Sequence, residues 1–181
     1  MEEDNKIITI GVREGSYILT PEQMATPIGD FLNNRAAKRK TLLWLDDQRN
    51  PFLNEEGKVP KVAIERRYEI VWVLNYSQFT KYIKENGIPD MVSFDHDLAD
   101  EHYTPEYFWD NFEESVKFQN WRYKTYKEKT GLDCARWLVE RCKFADRDLP
   151  IVNIHSANPV GKMFIEDFLN FVKLSKLNYN E

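Results

Sequence analysis

Leu42-Leu43-Trp44-Leu45-Asp46-Asp47 is the stretch on which the fold turns. An apolar run without polar alternation reads as a strand buried on both faces, and here it stops abruptly on two acids. Outward from it, Glu69 to Leu74 is a second run of this kind. Met91-Val92-Ser93-Phe94 is a third and leads into Asp95-His96-Asp97, and Pro150 to Ile154 is a fourth, ending in His155-Ser156. The intervening segments have helical spacing. Ser77 to Asn86 places Phe79, Tyr82 and Ile83 on one side, with Gly87 as its stop. Leu132, Ala135, Leu138, Val139 and Cys142 recur one turn apart. Asn158-Pro159 opens a last helix with Val160, Met163, Phe164, Phe168, Phe171 and Val172 on its apolar side.

Short buried strands alternating with amphipathic helices imply an α/β fold: a parallel sheet with crossover helices, in three layers. With four core strands in the flavodoxin-like order 2-1-3-4, strands one and three are neighbours. Ligands of such sheets bind beyond the carboxyl ends of the strands, where the order reverses. Residues 1–40 are expected to be an extension. Ile7 to Ile10 and Tyr17-Ile18-Leu19 flank Arg13-Glu14-Gly15 as a hairpin, Thr20-Pro21-Glu22 caps a short helix, and Asn33 to Lys40 is a basic linker. Residues 41–181 form the main domain, with an aromatic helical insert over roughly 100–129. In that insert Thr104-Pro105-Glu106 predicts a helix start. Its rings, among them Tyr103, Tyr107, Phe108, Trp109, Phe112, Phe118 and Trp121, either bury a helix against the sheet or stack on bases. The place of the insert, just after Asp95-His96-Asp97, also suits a lid.

The chain has 181 residues, of which 42% are hydrophobic and 30% charged, enough for one well-buried domain. Its formal net charge of −5 argues against general DNA coating, which needs a basic face. Cys134 and Cys142 share one helical pattern about 12 Å apart along its axis, too far to bridge, and no Cys-x-x-Cys pair suggests zinc. Met1-Glu2-Glu3-Asp4-Asn5-Lys6 is unlike a secretory signal, and no apolar run approaches the ~18 residues of a membrane span. The expectation is a cytoplasmic protein with no membrane partner.

Polar clusters follow three of the four strands. They are Asp46, Asp47 and Arg49 after the first, Asp95, His96 and Asp97 after the third, and His155, Ser156 and Asn158 after the fourth. Crowded carboxylates repel one another and call for a hard divalent cation, Mg²⁺ or Mn²⁺, with Asp46, Asp47, Asp95 and Asp97 as candidate ligands. His96 and His155 are candidate acid and base, with Asp95 beside them in the catalytic set. Arg49, Ser156 and the N–H groups after Asn158 would hold a phosphate. Each residue also has a plainer reading: Asn158 caps the last helix, Arg49 pairs with Asp47, and a histidine near a strand end packs.

The block from Leu42 to Val172 resembles a receiver-like domain of the two-component type. Asp46-Asp47 closes strand one, Asp95 stands where a receiver keeps its phospho-accepting aspartate, and Ser156 stands where it has Thr or Ser. It departs from signalling receivers at His96-Asp97 and at His155, and the fifth strand with its Lys is missing. Leu-Asp-Asp-x-Arg-x-Pro at Leu45 to Pro51, Phe94 to Leu98, Thr130-Gly131 and His155 to Gly161 are similar to the divergent cyclic-phosphate-processing receiver-like branch. That resemblance implies metal-assisted phosphoesterase chemistry on a 2′,3′-cyclic RNA end or a cyclic nucleotide. Two other readings stand beside it: a phospho-accepting switch at Asp95, and a non-catalytic module that binds a nucleotide or a protein partner.

Overall fold

The computed structural model describes residues 8–10, 39–52, 59–108 and 110–177. The second arm of the expected hairpin, the helix at Thr20-Pro21-Glu22 and Asn33 to Lys38 of the linker lie outside these residues. The strands are β1 (Ile8–Ile10), β2 (Thr41–Leu45), β3 (Glu69–Val73), β4 (Met91–Phe94) and β5 (Ile151–Ile154). The helices are α1 (Lys61–Glu65), α2 (Tyr76–Asn86), α3 (Phe112–Tyr123), α4 (Gly131–Phe144) and α5 (Pro159–Leu177). The sheet order is β1-β3-β2-β4-β5. The four parallel strands therefore run in the order 2-1-3-4 expected from the sequence, and β1 widens the sheet by pairing antiparallel with β3.

Alternation sorts each strand between two cores. Leu43, Leu45, Val71, Val73, Val92 and Phe94 pack with Phe79 and Ile83 of α2, Leu138 of α4, and Ile165 and Leu169 of α5. Leu42, Trp44 and Met91 pack on the other face with Val59, Ala63 of α1 and Tyr68. Leu42 to Leu45 are 0% exposed, which explains the unbroken apolar run. Each contributes roughly 1.5–3 kcal/mol by burial.

Local signals set the helix ends. Asn75 Oδ1 accepts the Gln78 N–H, and Gly87, at φ 89°, ends α2 by donating to the Ile83 carbonyl. The helix expected from Thr104 is a single 3₁₀ turn, Glu106–Phe108. The α-helix starts later because Asn111 is its cap, accepting the Glu114 N–H, while the Thr104 hydroxyl accepts Gln119 Nε2. The insert rings do not form one buried face: Tyr103, Tyr107, Phe112 and Trp121 are exposed and polar Ser115 and Gln119 are buried, while Tyr123 packs half-buried against the main core.

Register positions the functional edge. Leu45 pairs with Phe94, and Phe94 with Ile154, so β2, β4 and β5 end level. The ladder continues one residue further, with the Asp95 N–H donating to the Leu45 carbonyl and the His155 N–H to the Phe94 carbonyl. Asp46, Asp95 and His155 thus leave the sheet side by side.

Candidate functional site

Asp46 is fully buried at the end of β2. Its Oδ1 accepts the N–H groups of Gln48 (3.0 Å) and Arg49 (2.6 Å). Its Oδ2 accepts Arg49 Nε (2.6 Å) and His155 Nε2 (2.9 Å). Burial alone would raise the carboxyl pKa, but the His155 bond, the two backbone N–H groups and the Arg49 charge prevail and lower it. Two indoles brace the loop: Trp72 Nε1 donates to the Asp46 carbonyl and Trp44 Nε1 to that of Arg49.

Asp47 has the opposite environment. Its Oδ1 is buried with no hydrogen-bond partner among the described residues. Burial, with the charges of Asp95, Asp46 and Asp97, pushes its carboxyl up to about 6. Carboxylate oxygens of Asp46, Asp47 and Asp95 lie within 4.8 Å of one another. This is an all-oxygen donor set with one orphaned carboxylate atom, and it fits a hard divalent cation.

Arg49 is the internal counter-charge. Beyond its bonds to Asp46, Nη2 lies 2.7 Å from Asp95 Oδ2 and Nη1 donates to the His155 carbonyl (3.1 Å). Burial tends to lower the guanidinium pKa, but Asp95 and Asp46 outweigh it and raise it. The plain pairing expected with Asp47 is replaced by this double clasp. Asp95 Oδ1 accepts the His96 N–H, so both of its oxygens are engaged.

Asp97 does not join the acidic group. Its Oδ1 accepts His96 Nδ1 (2.7 Å), and both oxygens accept Asn158 Nδ2 (3.1 and 3.0 Å). A carboxylate only accepts, so His96 donates from Nδ1, and its Nε2 points away from Asp97. That Nε2 is buried and has no partner among the described residues. The Asp97–His96 pair is the arrangement of a base with its orienting carboxylate.

The two histidines named as candidate acid and base have different partners. His155 is stacked on Trp44 with ring centroids 3.8 Å apart. Its Nε2 bonds Asp46, its Nδ1 bonds the Ser93 hydroxyl (2.8 Å), and Asn153 Nδ2 donates to that hydroxyl (2.7 Å). Neither nitrogen is left for substrate. Alternation is the reason: Ser93 and Asn153 pair across the sheet on the Trp44 face, and His155 follows two residues on. No local sequence pattern signals these contacts.

Asn158 caps the last helix and also bonds Asp97. Its Oδ1 accepts the Val160 and Gly161 N–H groups, capping α5, while its Nδ2 holds Asp97. Those N–H groups are therefore satisfied within the protein and are not open for a phosphate, against the expectation. Ser156 Oγ accepts the Asn158 N–H in a local turn.

Two glycines allow close approach. A Cβ at Gly131 would overlap the Asp95 carbonyl, and one at Gly161 would overlap the His96 ring. The third histidine, His102, was not singled out by the sequence. It accepts the Leu98 N–H at Nδ1 and donates from Nε2 to the Glu128 carbonyl (3.2 Å), tying the insert to the loop after β4. Its burial lowers its pKa. Tyr103 was counted only as one ring among many. Burial, together with the charges of Asp47, Asp95, Asp97 and Asp46, pushes its phenol up to about 12.

Fold and site together define a receiver-type α/β domain with an acidic strand-end cluster. Residues 41–171 match the model of the cyclic-phosphate processing receiver domain, and the chain belongs to that family. No curated protein and no solved structure matches the chain. Among the described residues, no helix is long and apolar enough to cross a membrane.

Proposed function

We propose that this domain is a metal-assisted phosphoesterase that opens a cyclic phosphate, either a 2′,3′-cyclic RNA end or a cyclic nucleotide, by adding water. The observation that carries this reading is the convergence of Asp46, Asp47 and Asp95 with the orphaned Asp47 Oδ1. Membership in a family described as processing cyclic phosphates supports it.

Asp46, Asp47 and Asp95 would hold Mg²⁺ or Mn²⁺, which when bound neutralises phosphoryl oxygens. Arg49 fixes Asp46 and Asp95 relative to each other and keeps spare N–H groups for the anion. His96, oriented by Asp97 and Asn158, takes the proton of the attacking water at Nε2. The water oxygen bonds to phosphorus, one ring P–O bond breaks, and the released ribose oxygen takes up a proton. His155 is a positioning residue that holds Asp46, and Ser156 shapes the turn leading to Asn158.

The test is incubation of the purified protein with Mg²⁺ or Mn²⁺ and a panel of 2′,3′-cyclic-phosphate oligonucleotides and cyclic nucleotides, read by mass spectrometry. Gain of one water that requires metal, Asp47 and His96 is the expected result. Tight binding with unchanged ligand would instead make the domain a binding module. A phosphoryl adduct on Asp95 after acetyl-phosphate treatment would make it a switch.

A further inference from the structure

Between the aromatic insert and the start of α5 lies a cleft of about 550 Å³, lined by Asp97, Tyr103, Phe112, Gln119, Asn158 and Pro159 among others. We propose that this cleft holds the nucleobase of the same molecule whose cyclic phosphate reaches the acidic cluster. The inference rests on the cyclic-phosphate reading and adds the place where the base of that nucleotide is held.

The cleft adjoins the site through two of its lining residues. Asp97 bonds the His96 imidazole, and Asn158 holds Asp97. A volume in this range holds a small molecule, and a phosphate ring alone would leave most of it empty. The helix forming one wall is turned the wrong way for a core. In α3, Phe112 and Trp121 are exposed while Ser115 and Gln119 are buried. Such a face suits a ligand that supplies both a flat apolar surface and polar edges.

Gln119 carries the choice of occupant. It is 2% exposed and lines the cleft, and its Nε2 donates to the Thr104 hydroxyl. Its Oε1 has no hydrogen-bond partner among the described residues. A turn of the side chain would bring this buried acceptor to the cleft, where it calls for an N–H donor. A nucleobase offers that N–H on its edge and a π-face for Tyr103 and Phe112. A lipid chain would fill the apolar part and leave Gln119 Oε1 unpaired.

The experiment uses the full chain and two esters, adenosine 2′,3′-cyclic phosphate and the base-free 1-O-methylribose 2′,3′-cyclic phosphate. It also measures equilibrium binding of adenosine alone by calorimetry. Wild type is expected to show kcat/KM at least about tenfold higher for the adenosine ester. Ala157→Trp, which fills the cleft from an exposed position, should bring the two esters to within about twofold, and Gln119→Leu should narrow the ratio mainly through KM. Equal kcat/KM for both esters in wild type would overturn the base site and leave the hydrolase intact. If neither ester turns over, the hydrolase reading fails, and adenosine binding still decides the cleft. Binding that Ala157→Trp abolishes upholds the base site, and failure of wild type to bind adenosine refutes it.

Discussion

Arg49 Nη2 lies 2.7 Å from Asp95 Oδ2, joining the loop after β2 to the end of β4. The same guanidinium holds Asp46 through Nε at 2.6 Å. One cation thus fixes two of the three clustered carboxylates and leaves Asp47 as the unbalanced one.

Removing Arg49 should release the repulsion it offsets. Arg49→Ala is expected to cost roughly 2–3 kcal/mol of metal-free stability, because two buried carboxylates lose their partner. Denaturant titration with and without Mn²⁺ checks this. The variant should recover more stability on adding metal than wild type does, and an equal gain in both proteins would refute the counter-charge role.

Asp47→Asn should separate metal binding from folding. The neutral amide removes the like-charge contact that raises the Asp47 carboxyl, so the metal-free protein is expected to gain on the order of 1 kcal/mol. The rise in Tm that Mg²⁺ or Mn²⁺ gives wild type should disappear in the same variant. A full metal-dependent rise in Asp47→Asn would remove Asp47 from the site.

The two close-approach glycines should tolerate alanine to different degrees. At Gly131 the added methyl meets the Asp95 backbone carbonyl, which cannot yield without moving the end of β4. At Gly161 it meets the His96 ring, a side chain that Asp97 holds in place. Gly131→Ala is expected to cost about 3 kcal/mol or more and Gly161→Ala somewhat less, despite alanine's better helix propensity. Thermal denaturation ranks the two, and a Tm at wild-type level in either would contradict the packing described.

His102 sets a pH dependence. Burial lowers its pKa in the folded protein, so at mildly acidic pH the unfolded chain binds the proton more readily. The stability it contributes is present above its unfolded pKa of about 6.5 and is lost as pH falls through the lower folded value. Asp46, also lowered, acts in the same direction but below the ordinary carboxylate range. Between about pH 7 and pH 5 Asp47, raised to about 6, acts in the opposite direction and gains stability as pH falls, so the profile there is the difference of the two, and His102→Gln should remove its falling part. An unchanged slope in the variant would show that other groups carry it.

Leu42 to Leu45, Met91 to Phe94 and the helices Tyr76–Asn86, Gly131–Phe144 and Pro159–Leu177 were legible in the sequence because an apolar run and a helical period are local properties, fixed by which residues must leave water. The five-residue helix Lys61–Glu65 was not, being too short to show a period, nor was the Asn75 cap. The Asn158 cap and the Gly87 stop were legible because each acts on backbone groups within three or four residues. The parallel direction of the strands followed from their alternation with helices, their order is the flavodoxin-like one expected of such a sheet, and the level ends of β2 and β4 bring Asp46, Asp47 and Asp95 together. What remained open depended on side-chain direction across distant segments. Whether Asp97 turned to the cluster or to Asn158, 61 residues away, is a contact no local pattern encodes. The same holds for His155, bound to Asp46 across 109 residues and to Ser93 across 62, and for the inward turn of Gln119. The sequence by itself determined the sheet, its edge and the charges gathered there. Tertiary structure alone decided which of those charges are already paired, because pairing rests on the facing of each residue and one step along a strand reverses it.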